Sequence, residues 1–199
     1  SCDSRLDRVI LSCSTSQTKN VFDSFSPPKH DSFTSLCKSI CSQQLHTKAA
    51  ATIYSRVQEL CGDARTGCMV PETISAASIT DLQQAGLSMS KITYLKDLSD
   101  HYIRGVLGDD VLLATESLED LKSLLLPVKG IGPWTVDMFA IFHLKRADVL
   151  PVSDLGVRKG MQKIYGLKSL PNPKEMKEIA ERWKPYQSLG TWFCWRVLV

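Results

Sequence analysis

Apolar residues recur at three- and four-residue spacing through most of the chain, and no convincing period-2 run occurs. Leu6, Val9, Ile10 and Cys13 predict a short helix over 4–14, and the Ser/Thr/Pro-rich stretch 12–29 predicts a loop. Asp31 is placed to cap a helix with the stripe Phe33, Leu36, Cys37, Ile40 and Cys41. Gln43-Gln44-Leu45-His46 then breaks the pattern. Thr47 opens a helix with Ala50, Ile53, Tyr54 and Val57, ending at Gly62. Two short helices follow over 71–85, with Ser78 capping the second and Gly86 ending it; 90–104 is amphipathic through Ile92, Leu95, Leu98 and Tyr102. Leu118, Leu121, Leu124 and Leu125 form the next stripe, with Ser117 as N-cap and Glu119 and Asp120 in a first turn that favours anions. Pro127 stops that helix, and Pro133 suits the first turn of another that runs through Trp134, Met138 and Phe142. A helix over 155–165 stops at Gly166. Asn172-Pro173-x-Glu175 starts one that Lys184-Pro185 ends, and a last helix carries Trp192, Trp195 and Leu198. The chain is expected to be all-α, without internal repeats.

Composition narrows this picture only a little. The 199 residues suffice for one sizeable core or two small lobes. No apolar run reaches the roughly 18 residues that suggest a membrane span, and no targeting segment is recognisable. The net charge is only +3, so any nucleic-acid contact must come from local clusters such as Lys129, Arg158, Lys159 and Lys163. The same cations also fit a solvated helix face. The cysteines at 2, 13, 37, 41, 61, 68 and 194 are odd in number and lack a Cys-x-x-Cys pair, which predicts reduced thiols in an intracellular protein. Cys37 and Cys41 share a helix face and should be core. The histidines at 30, 46, 101 and 143 show no metal-ligand spacing, so no zinc site is expected.

The chemistry concentrates in Leu126-Pro-Val-Lys-Gly-Ile-Gly-Pro-Trp-Thr135 and, further on, Leu150-Pro-Val-Ser-Asp-Leu-Gly-Val-Arg-Lys-Gly160. The first reads as helix, tight hairpin, helix, over 117–143. Gly130 and Gly132 allow positive φ and close approach of another backbone. A helix N-terminus beside such a hairpin offers free N–H groups to an anion, and Lys129 makes phosphate the natural guest. Glycines alone do not separate this from an ordinary helix connection.

The ordered set of motifs resembles the helix-hairpin-helix DNA glycosylases, in particular the alkyl-purine (3-methyladenine) branch. The set also includes Ser39-Ile-Cys-Ser-Gln-Gln44, Gly86-Leu-Ser-Met-Ser-Lys91 and Glu181-Arg-Trp-Lys-Pro-Tyr186. The resemblance spans roughly residues 30–198 and implies a compact two-lobed helical domain without an N-terminal β-domain. Lobe A is expected over about 1–30 plus 155–199 and lobe B over about 31–154, with the active site in the cleft between them.

In that family the catalytic aspartate follows the hairpin, and here it is Asp154. Cutting an N-glycosidic bond builds positive charge on the sugar, which a carboxylate stabilises while it orients or deprotonates water. Asp154 also reads as a plain N-cap. Bifunctional relatives carry a Schiff-base lysine two positions past the second hairpin glycine. Trp134 stands there, and indole cannot be that nucleophile, so base release without strand cleavage is implied. Trp134, Trp195 and Met138 match the base pocket, where an aromatic wall attracts a cationic alkylated purine by about 0.5–2 kcal/mol. Trp195 on its own reads equally as core, and Tyr54 and Phe139 read as core. Gln43, Gln44, Leu45 and His46 correspond to the loop that fills the gap left by a flipped nucleotide, with Gln44 and Leu45 as wedge candidates and His46 facing the minor groove.

The resemblance assigns phosphate binding to Lys129, Gly130, Gly132 and Thr135, and a monovalent cation (Na+ or K+) to the carbonyls of Leu126, Val128 and Ile131. Only Cys194 lies where some relatives carry four cluster-ligating cysteines, so no iron–sulfur cluster is expected, and no cofactor is required. The implied partner is double-stranded DNA with damaged bases, met by a monomer, in the nucleus if the organism is eukaryotic. Two other functions fit the same residues: a binder of damaged DNA without turnover, and a glycosylase for another lesion such as ethenoadenine or uracil.

Overall fold

The computed structural model describes Asp3, Arg5, Leu6 and residues 30–198. Apart from Asp3, Arg5 and Leu6, the N-terminal part of lobe A, with the helix expected over 4–14 and the loop over 12–29, lies outside the described residues. The regular structure of the described residues is helical, with one isolated bridge between Gly62 and Met69 and no strand. They form two compact units. One is Pro28–Val136; the other joins residues 137–198 to Asp3, Arg5 and Leu6. The division between them at 136/137 lies inside a helix and not at 154/155. Residues 146–154 belong with the C-terminal unit because they bond its last helix: Ser188 Oγ donates to the Arg146 carbonyl at 2.6 Å and accepts the Val149 N–H at 3.1 Å.

The first unit holds α1 (Ser32–Ser42), α2 (Thr47–Cys61), α3 (Pro71–Ala76), α4 (Ile79–Gln84), α5 (Met89–Ile103), α6 (Asp109–Leu113), α7 (Leu118–Leu125) and the start of α8 (Pro133–Phe142). The caps explain the starts. Asp31 accepts the Thr34 N–H, Ser78 that of Asp81, and Ser117 forms a capping box with Asp120. The expected stripes are the core: Leu36, Ile40, Ile74, Leu82, Leu95, Leu98, Leu121 and Leu125 are fully buried, as are Cys37 and Cys41. Burial pushes the Cys41 thiol up to about 12, which keeps it protonated and inert. Helix α6 has no counterpart in the sequence reading. It is a single turn behind Gly108, and Asp109 ties it to α1 by accepting the Ser32 N–H at 2.9 Å.

The second unit holds the rest of α8, α9 (Leu155–Tyr165), α10 (Pro173–Ala180), the 3-10 turn Glu181–Trp183 and α11 (Gln187–Arg196). Helix α10 ends at Ala180, earlier than the Lys184-Pro185 expected from sequence, and the chain tightens into the 3-10 turn. Helices α9 and α11 pack together through Val157, Met161, Trp192, Phe193 and Cys194. A polar chain crosses this core: Trp183 Nε1 donates to the Tyr165 hydroxyl at 3.0 Å, and that hydroxyl donates to Asp3.

Several cations are anchored on backbone carbonyls. Lys91 Nζ donates to Cys41 (2.7 Å), Lys96 Nζ to Ser75 and Ala77 (both 2.8 Å), Lys163 Nζ to Val197 (2.7 Å) and Arg158 Nε to Pro171 (2.9 Å). Cys41, Ser75, Ala77 and Val197 lie at helix C-termini, where positive charge is favourable; Pro171 instead precedes the start of α10.

Candidate active site

Asp154 is the N-cap of α9. Its backbone is extended (φ −77°, ψ 118°), and its Oδ1 accepts the Val157 N–H at 2.7 Å. The plain N-cap role is therefore real, and it does not exhaust the residue. The same oxygen accepts the indole N–H of Trp195 at 2.9 Å. Gly156 makes this possible: a β-carbon there would stand 2.9 Å from Trp195 Cδ1 and 3.0 Å from Asp154 Oδ1. Phe142, at the end of α8, stacks on Trp195 with centroids 5.8 Å apart and planes 21° apart. Trp195 is partly buried. It is thus neither pure core nor an isolated wall but a partner of the carboxylate. Burial and, after it, the Asp154 charge hold the Cys194 thiol well above its ordinary range. Met138 is partly buried on α8 in this same unit. Phe139 is buried against His143.

The other unit carries the hairpin. Val128 N–H donates to Leu125, Ile131 N–H to Val128, and Lys129 N–H to Asp97 Oδ2 at 2.9 Å. That leaves Gly130 and Gly132 as the hairpin N–H groups with no partner among the described residues. Gly130 has φ +80°, and the Tyr94 ring lies where its β-carbon would be. Gly132 corrects the expectation of two left-handed glycines. It is not among the positive-φ residues, and a β-carbon there would meet nothing within 4 Å. Openness on that side, not conformational freedom, is what Gly132 supplies. Thr135, expected on the phosphate side, is buried in the first turn of α8. The Lys129 ammonium pairs with Asp97 Oδ1 at 3.3 Å. Partial burial raises the Asp97 carboxyl, but the Lys129 N–H and ammonium outweigh it and hold the group below its ordinary value. Trp134 stands 46 % exposed in the first turn of α8.

The loop 43–46 belongs to this unit as well. Gln44 adopts φ +55°, and Gln44, Leu45 and His46 are exposed while Gln43 is partly covered. The Gln43 side-chain N–H donates to the Gly130 carbonyl at 2.8 Å, so two segments singled out separately in the sequence are bonded to each other. Sequence reasoning missed Tyr94 and Asp97, and it placed Lys91 only within the motif 86–91, without its contact to the Cys41 carbonyl. The three recur at three-residue spacing on α5 beside its apolar stripe, and they pass in a sequence for a solvated face. Among the described residues no His/Cys/Asp/Glu group suits a metal, and no helix is long and apolar enough to cross a membrane.

Residues 37–185 match the family model described as HhH-GPD superfamily base excision DNA repair protein. The chain is 31 % identical over 168 residues to DNA-3-methyladenine glycosylase 1 of Schizosaccharomyces pombe, covering 84 % of this chain and 73 % of that one. Among solved structures, the S. pombe 3-methyladenine DNA glycosylase Mag1 in complex with abasic DNA superimposes with TM-score 0.78 at 28 % identity, covering 98 % of this chain and 91 % of that one. DNA-3-methyladenine glycosidase from Bacillus halodurans gives TM-score 0.80 at 33 % identity, covering 98 % and 84 %.

Proposed function

The chain belongs to the HhH-GPD superfamily of base excision DNA repair proteins, and from that premise we propose that it is a monofunctional glycosylase excising alkylated purines of the 3-methyladenine and 7-methylguanine type from duplex DNA. The observation that carries the reading is the Asp154 carboxylate, fixed by two N–H donors on one oxygen. An alkylated purine is cationic and already a good leaving group. The C1′–N bond breaks with its electron pair going to the base, which leaves neutral. Asp154 stabilises the oxocarbenium-like sugar so formed. Water then forms the C1′–O bond and gives up a proton to the carboxylate or to solvent.

Trp134 in place of a lysine supports the absence of strand cleavage, since indole forms no Schiff base. Its exposure supports a role as an aromatic surface for a cationic base. The unpartnered N–H groups of Gly130 and Gly132 suit a phosphate. The hairpin is also the proposed seat of Na+ or K+. The Val128 carbonyl accepts one N–H, from Ile131 at 3.1 Å, which leaves it a second lone pair; Leu126 and Ile131 would supply the others.

A panel of duplexes with single defined lesions, assayed under single-turnover conditions with and without borohydride, tests the reading. Release of methylated purines with no trapped adduct is expected. Affinity for every damaged duplex without release would replace the enzyme with a binder. Release of ethenoadenine or uracil alone would change the lesion, and a trapped band would overturn the monofunctional assignment.

A further inference from the structure

Resting on the DNA-binding reading above, we infer that Gln43 is a positioning strut: it locks the wedge loop 43–46 to the phosphate-facing hairpin, and it does not itself enter the DNA. The geometry closes a ring. On one side Lys91 Nζ of α5 holds the Cys41 carbonyl, at the end of α1 just before the loop. On the other, Asp97 of α5 holds both the N–H and the ammonium of Lys129, and Tyr94 packs under Gly130. The Gln43 amide, reaching the Gly130 carbonyl at 2.8 Å, joins the two free ends. Only the amide nitrogen, not its oxygen, can face a carbonyl, so the donor is fixed.

The loop needs such support. Gln44 sits in the left-handed region, which a non-glycine residue rarely adopts unless its surroundings impose it. Besides the strut, the turn is held by weak backbone bonds, Gln43 N–H to Ile40 and Leu45 N–H to Ser42, both 3.3 Å. Leu45 projects beyond them, 40 % exposed. With the strut in place the wedge is ordered before it meets DNA, and its position is referred to the same hairpin that positions the phosphate. Such preorganisation matters only when a stacked, paired base must be displaced.

Gln43→Glu keeps the shape and replaces the donor with a carboxylate facing a carbonyl; Gln43→Ala removes the bond without adding charge. In the DNA-free protein, hydrogen exchange should rise in both variants in the loop 43–46 and in the hairpin 128–132 together. Single-turnover release from a duplex should fall about five- to tenfold, as expected for one lost hydrogen bond. Release of the same lesion from an unpaired bubble should stay near wild type, and on a Leu45→Ala background the Gln43→Ala loss should shrink. Faster exchange in 43–46 alone, or equal losses on duplex and bubble, would overturn the strut. If the wild-type protein releases no base, the functional reading fails, and the exchange measurement, which uses no DNA, still decides this one.

Discussion

The indole N–H of Trp195 reaches the carboxylate of Asp154 at 2.9 Å across 41 residues of sequence. An aromatic side chain of α11 therefore sets the orientation of the proposed catalytic group on α9. Trp195→Phe keeps a ring against Phe142 but loses the donor. A hydrogen bond to a charged group contributes about 1.5–3 kcal/mol. Single-turnover base release should fall about tenfold or more, with abasic-duplex affinity nearly unchanged. An unaltered rate would mean that the bond plays no part in the chemistry.

Asp154→Asn separates the two roles of the residue. Asparagine is as good an N-cap as aspartate, so α9 and the melting temperature should be preserved. The anion is lost, and release should drop by about two to three orders of magnitude, as when other transition-state charge partners are removed. A small residual rate is expected because a cationic base also leaves unaided. A rate within a few-fold of wild type, on folded protein, would remove Asp154 from the mechanism.

The two hairpin glycines should behave differently. Gly130→Ala forces a β-carbon into φ +80° and into the Tyr94 ring, which costs at least about 1–2 kcal/mol for the backbone alone. Gly132→Ala meets open space and should leave urea stability unchanged. Both should weaken binding to any duplex, damaged or not, because phosphate contacts position without reading sequence. Comparable destabilisation by the two substitutions would contradict the conformations described.

Asp97 gives a dependence on pH with a definite sign. Its folded carboxyl lies below its ordinary value, so its contribution to stability is complete above the unfolded value of about 4. It is lost as the pH falls through the lower folded value. The stability difference between wild type and Asp97→Asn should therefore be present above about pH 5 and close below about pH 4. Urea titrations across that range measure it. A difference that persists at pH 2 would show that the ion pair with Lys129 is not its source.

The helices were legible because their signals are local. Asp31, Ser78, Ser117, Asp154 and Asn172 cap helices where the spacing of apolar residues places the starts. What sequence could not show is partnership across distance. Trp195 offered only an aromatic residue of ambiguous burial, and nothing in its neighbours points to Asp154. Lys91, Tyr94 and Asp97 occupy a face that periodicity assigns to solvent, because their partners are a carbonyl, a glycine, and the N–H and ammonium of a lysine 32 residues away. Gly132 matched the motif, yet its dihedral angles are decided by the turn and not by the residue type. Helix α6 is too short for any periodicity.

The anchoring of Lys91, Lys96, Arg158 and Lys163 on carbonyls of their own chain, with Lys129 paired to Asp97, bears on how this protein would search a genome. A cation committed to a partner in its own chain is less available to replace a counterion on the double helix, and the dependence of affinity on salt scales with the number so replaced. For a chain of net charge +3 with these five of its 24 Lys and Arg engaged, the expected salt slope is shallow and stays on intact DNA are expected to be short. Time would then be concentrated at the rare nucleotide that yields to the proposed wedge, and sampling would proceed by frequent release and rebinding more than by long slides along one stretch.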